Sequence, residues 1–260
     1  MAFEESFITV DGCRTRIRRG GKGPTVLYLH GANGAPMIQP FMEVLAQDYD
    51  LIVPEHPGFG MSDEPEWLDN MQDLAYFYLD LLDQLELESV HIVGSSMGGW
   101  LAMEMGIREP RRIKSLTLVG TAGVRVPGIL PGDIFLWDAE TAARNTFFNQ
   151  DIAQKVLSMA PDTEEAQDIM LKNRETVARL AWQPRLYDLN LPKWLHRIQA
   201  PVKLIWGEQD KIMPLAVGEA LQPQLPNATL QVFKNCGHLP QVEFPDEFSA
   251  SVKQFIEGVK

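Results

Sequence analysis

Three residues that together turn an alcohol into a nucleophile occur in the chain order Ser96, Asp210, His238. A serine hydroxyl attacks a carbonyl poorly unless an imidazole removes its proton and a carboxylate orients that imidazole. Ser96 stands in Gly94-Ser95-Ser96-Met97-Gly98, directly after the apolar run 90–93 and before a helix-like tail. G-x-S-x-G is informative only between a strand and a helix, where a tight turn pushes the hydroxyl outward. The two glycines remove Cβ atoms from that turn, and the following helix aims free N–H groups at the hydroxyl. Ser95 lacks the flanking pattern and is expected to point inward.

The partners come from later strand ends. Asp210 lies in GEQDKIMP after the strand KLIWG (203–207), and His238 lies in NCGHLPQVEFP after the run 229–233. Ser…Asp…His is the order that accompanies this turn. Each piece also has a plainer reading. The pentapeptide fits a small-residue loop, Asp210 fits a helix cap ahead of Lys211, and His238 fits an ordinary loop histidine. Glu208 is an alternative acid. The conjunction of three types, in order, each just past a strand, is what favours catalysis. A fourth element is His30-Gly31-Ala32-Asn33-Gly34, where the Ala32 N–H, with that of Met97, would hold a tetrahedral oxyanion. His30 and His56 read as loop-packing residues and Cys236 as a small buried filler.

These residues need a scaffold, and the hydrophobic pattern supplies one. Asp11-Gly12 marks a hairpin turn. Short apolar strands are expected at 25–29, 51–53, 90–94, 114–119, 203–207 and 229–233. Helices are expected at 37–47, 70–85, from the SSMGGW turn to about 108, near 215–221 and at 245–259, and Leu74, Phe77, Tyr78, Leu81 and Leu82 keep helical spacing. Alternating strands and helices imply an α/β chain, a mainly parallel sheet with helices on both faces and its site at the carboxyl ends of the strands. The alternation stops between 124 and 197, a mostly helical block. We therefore expect a core of 1–123 and 198–260 and a helical cap of 124–197 roofing the site. Phe147, Phe148, Trp182 and Trp194 in that block read mainly as its own core, with one or two facing the cleft.

Composition removes other function classes. The 260 residues carry 35 acidic and 23 basic side chains, a net charge of −12, which argues against nucleic acid and against anionic membranes. The two cysteines, Cys13 and Cys236, lie in no metal-ligand spacing and are expected as free thiols. No apolar run reaches the roughly 18 residues of a membrane span, and the N-terminus lacks a secretory pattern. The expectation is a cytoplasmic protein with a small-molecule substrate, no metal and no cofactor; a homodimer is left open.

LHGANG (29–34), PEHPGFGMSD (54–63), GSSMGGW (94–100), GEQDKIMP (207–214) and CGHLPQVEFP (236–245) together resemble the α/β-hydrolase fold superfamily, in the branch with a helical cap between the sixth and seventh strands. Within it the chain looks like carboxylesterases and carbon–carbon bond hydrolases of the meta-cleavage type. The latter usually carry a tryptophan after the catalytic histidine, where this chain has Leu239, and a more glycine-rich oxyanion loop. They also carry a cap arginine for the substrate carboxylate, for which Arg185 in AWQPRLYD is the candidate. Asn33, Trp182, Arg185 and Leu239 are the expected substrate contacts. Haloalkane dehalogenases and epoxide hydrolases of this fold place an aspartate where Ser96 stands; cofactor-free perhydrolases share the serine triad. These departures put hydrolysis of a small or medium carboxylic ester through an acyl-enzyme first. Carbon–carbon bond hydrolysis of a vinylogous diketone comes second, and a non-catalytic ligand-binding protein third.

Overall fold

A computed structural model describes residues 2–159 and 162–259. Its frame is an eight-stranded sheet: β1 (Glu4–Val10), β2 (Cys13–Gly20), β3 (Thr25–Leu29), β4 (Asp50–Pro54), β5 (Val90–Ser95), β6 (Ile113–Val119), β7 (Val202–Gly207) and β8 (Ala228–Phe233). Spatial order is β1-β2-β4-β3-β5-β6-β7-β8. β1, β2 and β4 pair antiparallel, and every later pairing is parallel. Asp11 and Gly12 turn the first hairpin, both at positive φ (45° and 76°), as a two-residue hairpin loop demands.

Helices α1 (Pro40–Leu45), α2 (Met71–Gln84) and α3 (Met97–Arg108) alternate with the strands, and α8 (Leu215–Leu221), α9 (Pro240–Glu243) and α10 (Pro245–Glu257) follow β7 and β8. Between β6 and β7 stand α4 (Ala139–Thr146), α5 (Gln150–Ser158), α6 (Glu164–Ala181) and α7 (Leu191–Trp194). α1 is shorter than its apolar pattern predicts. Pro40 occupies its first turn, and a proline has no N–H for an interior helical bond.

Side chains alternate across the sheet with the two-residue period of a strand. On β3, Leu27 and Leu29 join the core shared with α2 and α3, while Val26 and Tyr28 join the core with α1 and α10. Each fully buried leucine or valine stabilises the fold by roughly 1.5–3 kcal/mol. Glycines bring α3 close to β3 and to the chain that leads into β7. A Cβ on Gly98 would lie 2.1 Å from the Leu29 carbonyl oxygen, and one on Gly106 would lie 3.2 Å from Ile198 Cγ1.

The chain between β6 and β7 touches loops that leave the carboxyl ends of the parallel strands. Thr176 Oγ1 donates to the Gly58 carbonyl at 2.7 Å, and Lys172 Nζ reaches the Gly60 and Ser62 carbonyls at 3.2 and 2.5 Å. The Gly132 N–H donates to the Ile212 carbonyl at 2.7 Å, past β7. None of the described helices is long and apolar enough to cross a membrane. Cys13 and Cys236 are both free and buried.

Two buried imidazoles lock the first two loops of that rim together. His30 and His56 stack with ring centroids 3.6 Å apart. The His56 N–H donates to His30 Nε2 at 3.0 Å, so His30 carries its proton on Nδ1 and gives it to the Gly31 carbonyl at 2.8 Å. His56 Nε2–H donates to the His30 carbonyl at 3.0 Å, which leaves Nδ1 to accept from the Tyr78 hydroxyl. Every position on the two rings is used in the neutral form. Burial, the leading cause, pushes His30 down to about 4 and His56 well below the usual imidazole range.

The folded state thus binds these protons more weakly than the unfolded chain. Stability from the pair is whole above about pH 6.5 and drains away as pH falls toward 4. Urea unfolding at stepped pH should show that loss. Tyr78→Phe orphans His56 Nδ1 and should cost about 1–3 kcal/mol at neutral pH, read as a lower urea midpoint.

Candidate active site

Ser96 links β5 to α3 in a conformation that L-residues avoid, with φ 55° and ψ −114°. Backbone bonds hold it there. Its N–H donates to the Val119 carbonyl at 2.8 Å, and its carbonyl accepts from Gly99 at 3.0 Å and Ala122 at 3.1 Å. The turn closes because its flanking residues lack side chains: a Cβ on Gly94 would lie 2.4 Å from the Gly98 carbonyl oxygen. The Ser96 hydroxyl is not spent on capping α3. Ser95 is buried and points inward, its Oγ accepting from Gln241 Nε2 at 2.9 Å.

Asp210 and His238 meet beside this turn. His238 Nδ1 and Asp210 Oδ2 are 2.7 Å apart, and both residues are buried. The other carboxylate oxygen, Oδ1, accepts from the Ile212 and Met213 N–H groups, each at 2.8 Å. Asp210 therefore caps its own turn and orients the imidazole with separate oxygens. With Nδ1–H given to Asp210, the His238 Nε2 lone pair is left to act as a base. Glu208, the alternative acid, is exposed and accepts from Gln209.

The three residues converge on the end of β6. Val119 takes the Ser96 N–H, and a Cβ on the next residue, Gly120, would lie 3.0 Å from His238 Nδ1 and 3.1 Å from Asp210 Oδ2. No hydrogen bond joins Ser96 Oγ to His238 among the described residues; such bonds commonly tighten when substrate arrives.

Amides flank the serine on both sides. Met97 opens α3, so its N–H has no acceptor within the helix. The 31–34 turn lies against the elbow: a Cβ on Gly31 would be 3.2 Å from both Ser96 Cβ and the Ser95 carbonyl oxygen. The Ala32 N–H makes no hydrogen bond among the described residues, while Gly34 closes the turn onto the Gly31 carbonyl at 3.1 Å. The arrangement gathers a serine hydroxyl, an imidazole paired with a carboxylate and two amides without acceptors, groups of the kinds that acyl transfer requires.

The expected substrate contacts are more varied. Asn33 is exposed on the 31–34 turn. Trp182, half-exposed, packs edge-on against Phe135 with centroids 5.0 Å apart. Arg185 lies 4.3 Å over the Trp182 ring and is ion-paired with Asp133. Leu239 packs against the α4–α5 cluster of Ala143, Phe147 and Ala153. Cys236 is buried, and burial pushes its thiol up, so it is not poised as a nucleophile. Gln241 and Glu243, which brace the histidine loop, escaped the sequence reading. Their only signal is proximity, three and five residues after His238.

Gly98→Ala should shift the elbow against β3 and lower stability by a few kcal/mol (~1–3), read by urea unfolding. Asp210→Asn keeps the shape but leaves His238 in the wrong tautomer; turnover should fall about 10⁴-fold, with the melting temperature close to that of the parent.

A family model described as the alpha/beta hydrolase fold matches residues 24–245. The chain is 30% identical to a 2-hydroxy-6-oxononadienedioate/2-hydroxy-6-oxononatrienedioate hydrolase of Cupriavidus pinatubonensis, covering 96% of this chain and 94% of that one. It is 29% identical to hydrolase 2 of the same name from Pseudomonas putida, covering 92% and 89%. Among solved structures, a bacterial membrane phospholipase A superposes with a TM-score of 0.84 at 25% identity, over 99% of this chain and 86% of that one. Sheet order, elbow and family match agree: the chain belongs to the α/β-hydrolase fold family.

Proposed function

We propose that this hydrolase cleaves a carbon–carbon bond in a ring-fission product, an enol of a vinylogous diketone bearing a carboxylate. The observation that carries the reading is the run of likeness to hydrolases of 2-hydroxy-6-oxo-dienedioates along nearly the whole of both chains. Ester hydrolysis therefore moves from first place in the sequence reading to second.

Ser96 Oγ attacks the keto carbonyl while His238 Nε2 takes its proton, and the Ala32 and Met97 amides hold the oxyanion. The intermediate then expels carbon. The breaking bond's electron pair must spread into an adjacent conjugated keto acid, because an unstabilised carbanion is too poor a leaving group. His238 returns the proton to that fragment, and water, activated by the same base, releases the acyl group from Ser96. Asp210 keeps the imidazole in one tautomer throughout. The 124–197 segment acts as the cap over this chemistry. Asn33, Trp182 and Leu239 border the bound chain, and Arg185 meets its carboxylate by exchanging Asp133 for it.

Plain ester hydrolysis is the second reading, and Arg185 favours it. A guanidinium already paired with Asp133 offers a substrate carboxylate less than a free one. The likeness to the phospholipase points the same way.

The two readings separate in one cuvette. The purified protein should bleach a yellow 2-hydroxy-6-oxo-hexadienoate at a rate well above that for a nitrophenyl ester, and Ser96→Ala should abolish bleaching. Ester turnover with an unbleached ring-fission product would hand the assignment to the esterase.

A further inference from the structure

The loop that carries His238 is gripped from two sides. On the sheet side, Gln241 Nε2 donates to Ser95 Oγ at 2.9 Å, next to the nucleophile. On the other side lies the junction of α4 and α5. The His238 N–H donates to the Thr146 carbonyl at 2.7 Å, a carbonyl at the C-terminus of α4 that has no intrahelical donor. Contact there is close: a Cβ on Gly237 would lie 2.3 Å from that carbonyl oxygen and 2.8 Å from the Phe148 nitrogen.

One carboxylate spans the joint. Glu243 Oε1 accepts from the Gly237 N–H at 2.6 Å, and Glu243 Oε2 accepts from the Asn149 N–H at 2.8 Å. Gly237 immediately precedes His238, and Asn149 is the residue that caps α5. Leu239 and Val242, on the same loop and helix, pack against Phe147 beneath this bridge.

We propose that Glu243 is a positioning residue that ties the placement of His238 to the seating of the α4–α5 junction, so that a displaced junction leaves the base out of line. The proposal rests on the serine–histidine reading above only for its effect on rate. A carboxylate suits this place because it accepts on both oxygens. A glutamine would keep one acceptor and turn an N–H group toward the other donor.

The test uses three variants of the full chain. Glu243→Gln removes one acceptor. Asn149→Pro removes the N–H; the residue sits at φ −73°, which a proline adopts without strain. Asn149→Ala is the control, since it loses the α5 cap but keeps the N–H. Two readouts are taken: hydrogen exchange in the 236–239 segment, and the rate at which a fluorophosphonate labels Ser96.

Glu243→Gln and Asn149→Pro should both speed exchange and slow labelling, about 10- to 100-fold for a base displaced by a fraction of an ångström to an ångström. Asn149→Ala should do neither. The double variant should be no slower than the worse single, because both changes break one bond. If Asn149→Pro matches Asn149→Ala in exchange, or if exchange speeds while labelling holds its rate, the coupling is overturned. If the unaltered protein takes no label, the serine-hydrolase reading fails instead, and exchange alone decides whether Glu243 bridges the joint.

Discussion

One close approach governs this molecule: the first turn of α3 sits against the end of β3 with no side chain between them. A Cβ on Gly98 would stand 2.1 Å from the Leu29 carbonyl, so only glycine lets the helix come this near. That proximity forces Ser96 into its positive-φ turn. It also sets the Met97 amide beside the 31–34 loop, and places the serine against Val119 at the end of β6. Strain at one residue persists because the surroundings over-determine it. Strand ends β3, β5 and β6, already paired in parallel, meet at a turn that only glycines at 94 and 98 allow to close, and the aspartate and histidine loops after β7 and β8 are built onto that platform.

Three histidines on this rim show how environment assigns a role. His30 and His56 are buried with both ring nitrogens engaged by backbone or by Tyr78, and desolvation keeps them neutral. They are structural pins. His238 is buried as well, yet its Nδ1 faces a carboxylate rather than a carbonyl. At His30 and His56 the ring nitrogens meet a carbonyl, a backbone N–H or a hydroxyl, and burial with no facing carboxylate keeps both rings below the usual imidazole range. The same side chain is therefore a fixed strut in two loops, while in the third it is placed for the proton-carrying role proposed for His238.

The fold was legible because its signals are local. Short apolar runs of three to six residues marked the parallel strands, and the Ser96, Asp210 and His238 positions followed from their place after those runs. Ser95 pointing inward was legible from the same turn. The length of α1 was misjudged because hydrophobic spacing ran through Pro40, which ends the pattern's authority. Asp133 as the partner of Arg185, and the bridge made by Glu243, could not be read, since each joins residues far apart in the chain (133 with 185, 149 with 243). A carboxylate that only accepts backbone N–H groups carries no motif. Leu239 sits next to the base, where a substrate contact was expected, but its packing against Phe147 was settled by a helix almost a hundred residues earlier.

The machinery around Ser96 reads only the carbonyl, and this explains why the sequence favoured an ester while the relatives favour a carbon–carbon bond. A serine, a base and two amides treat the two electrophiles alike up to the tetrahedral intermediate. The difference begins when the leaving group departs. An alkoxide takes its proton from the nearest acid, whereas a carbon fragment departs only as an extended enolate and must be held flat and reprotonated at one carbon. Holding it flat is work for side chains beyond the triad, which on the proposed reading would come from the 124–197 segment and the loops it touches. That segment contains α4 and α5, and the junction between them also grips the His238 loop. If the segment recognises the leaving fragment and steadies the base through the same joint, substrate choice and proton delivery are coupled in one piece of structure. Specificity in such a chain would change by repacking the joint around Leu239 and Phe147, with Ser96, Asp210 and His238 left untouched.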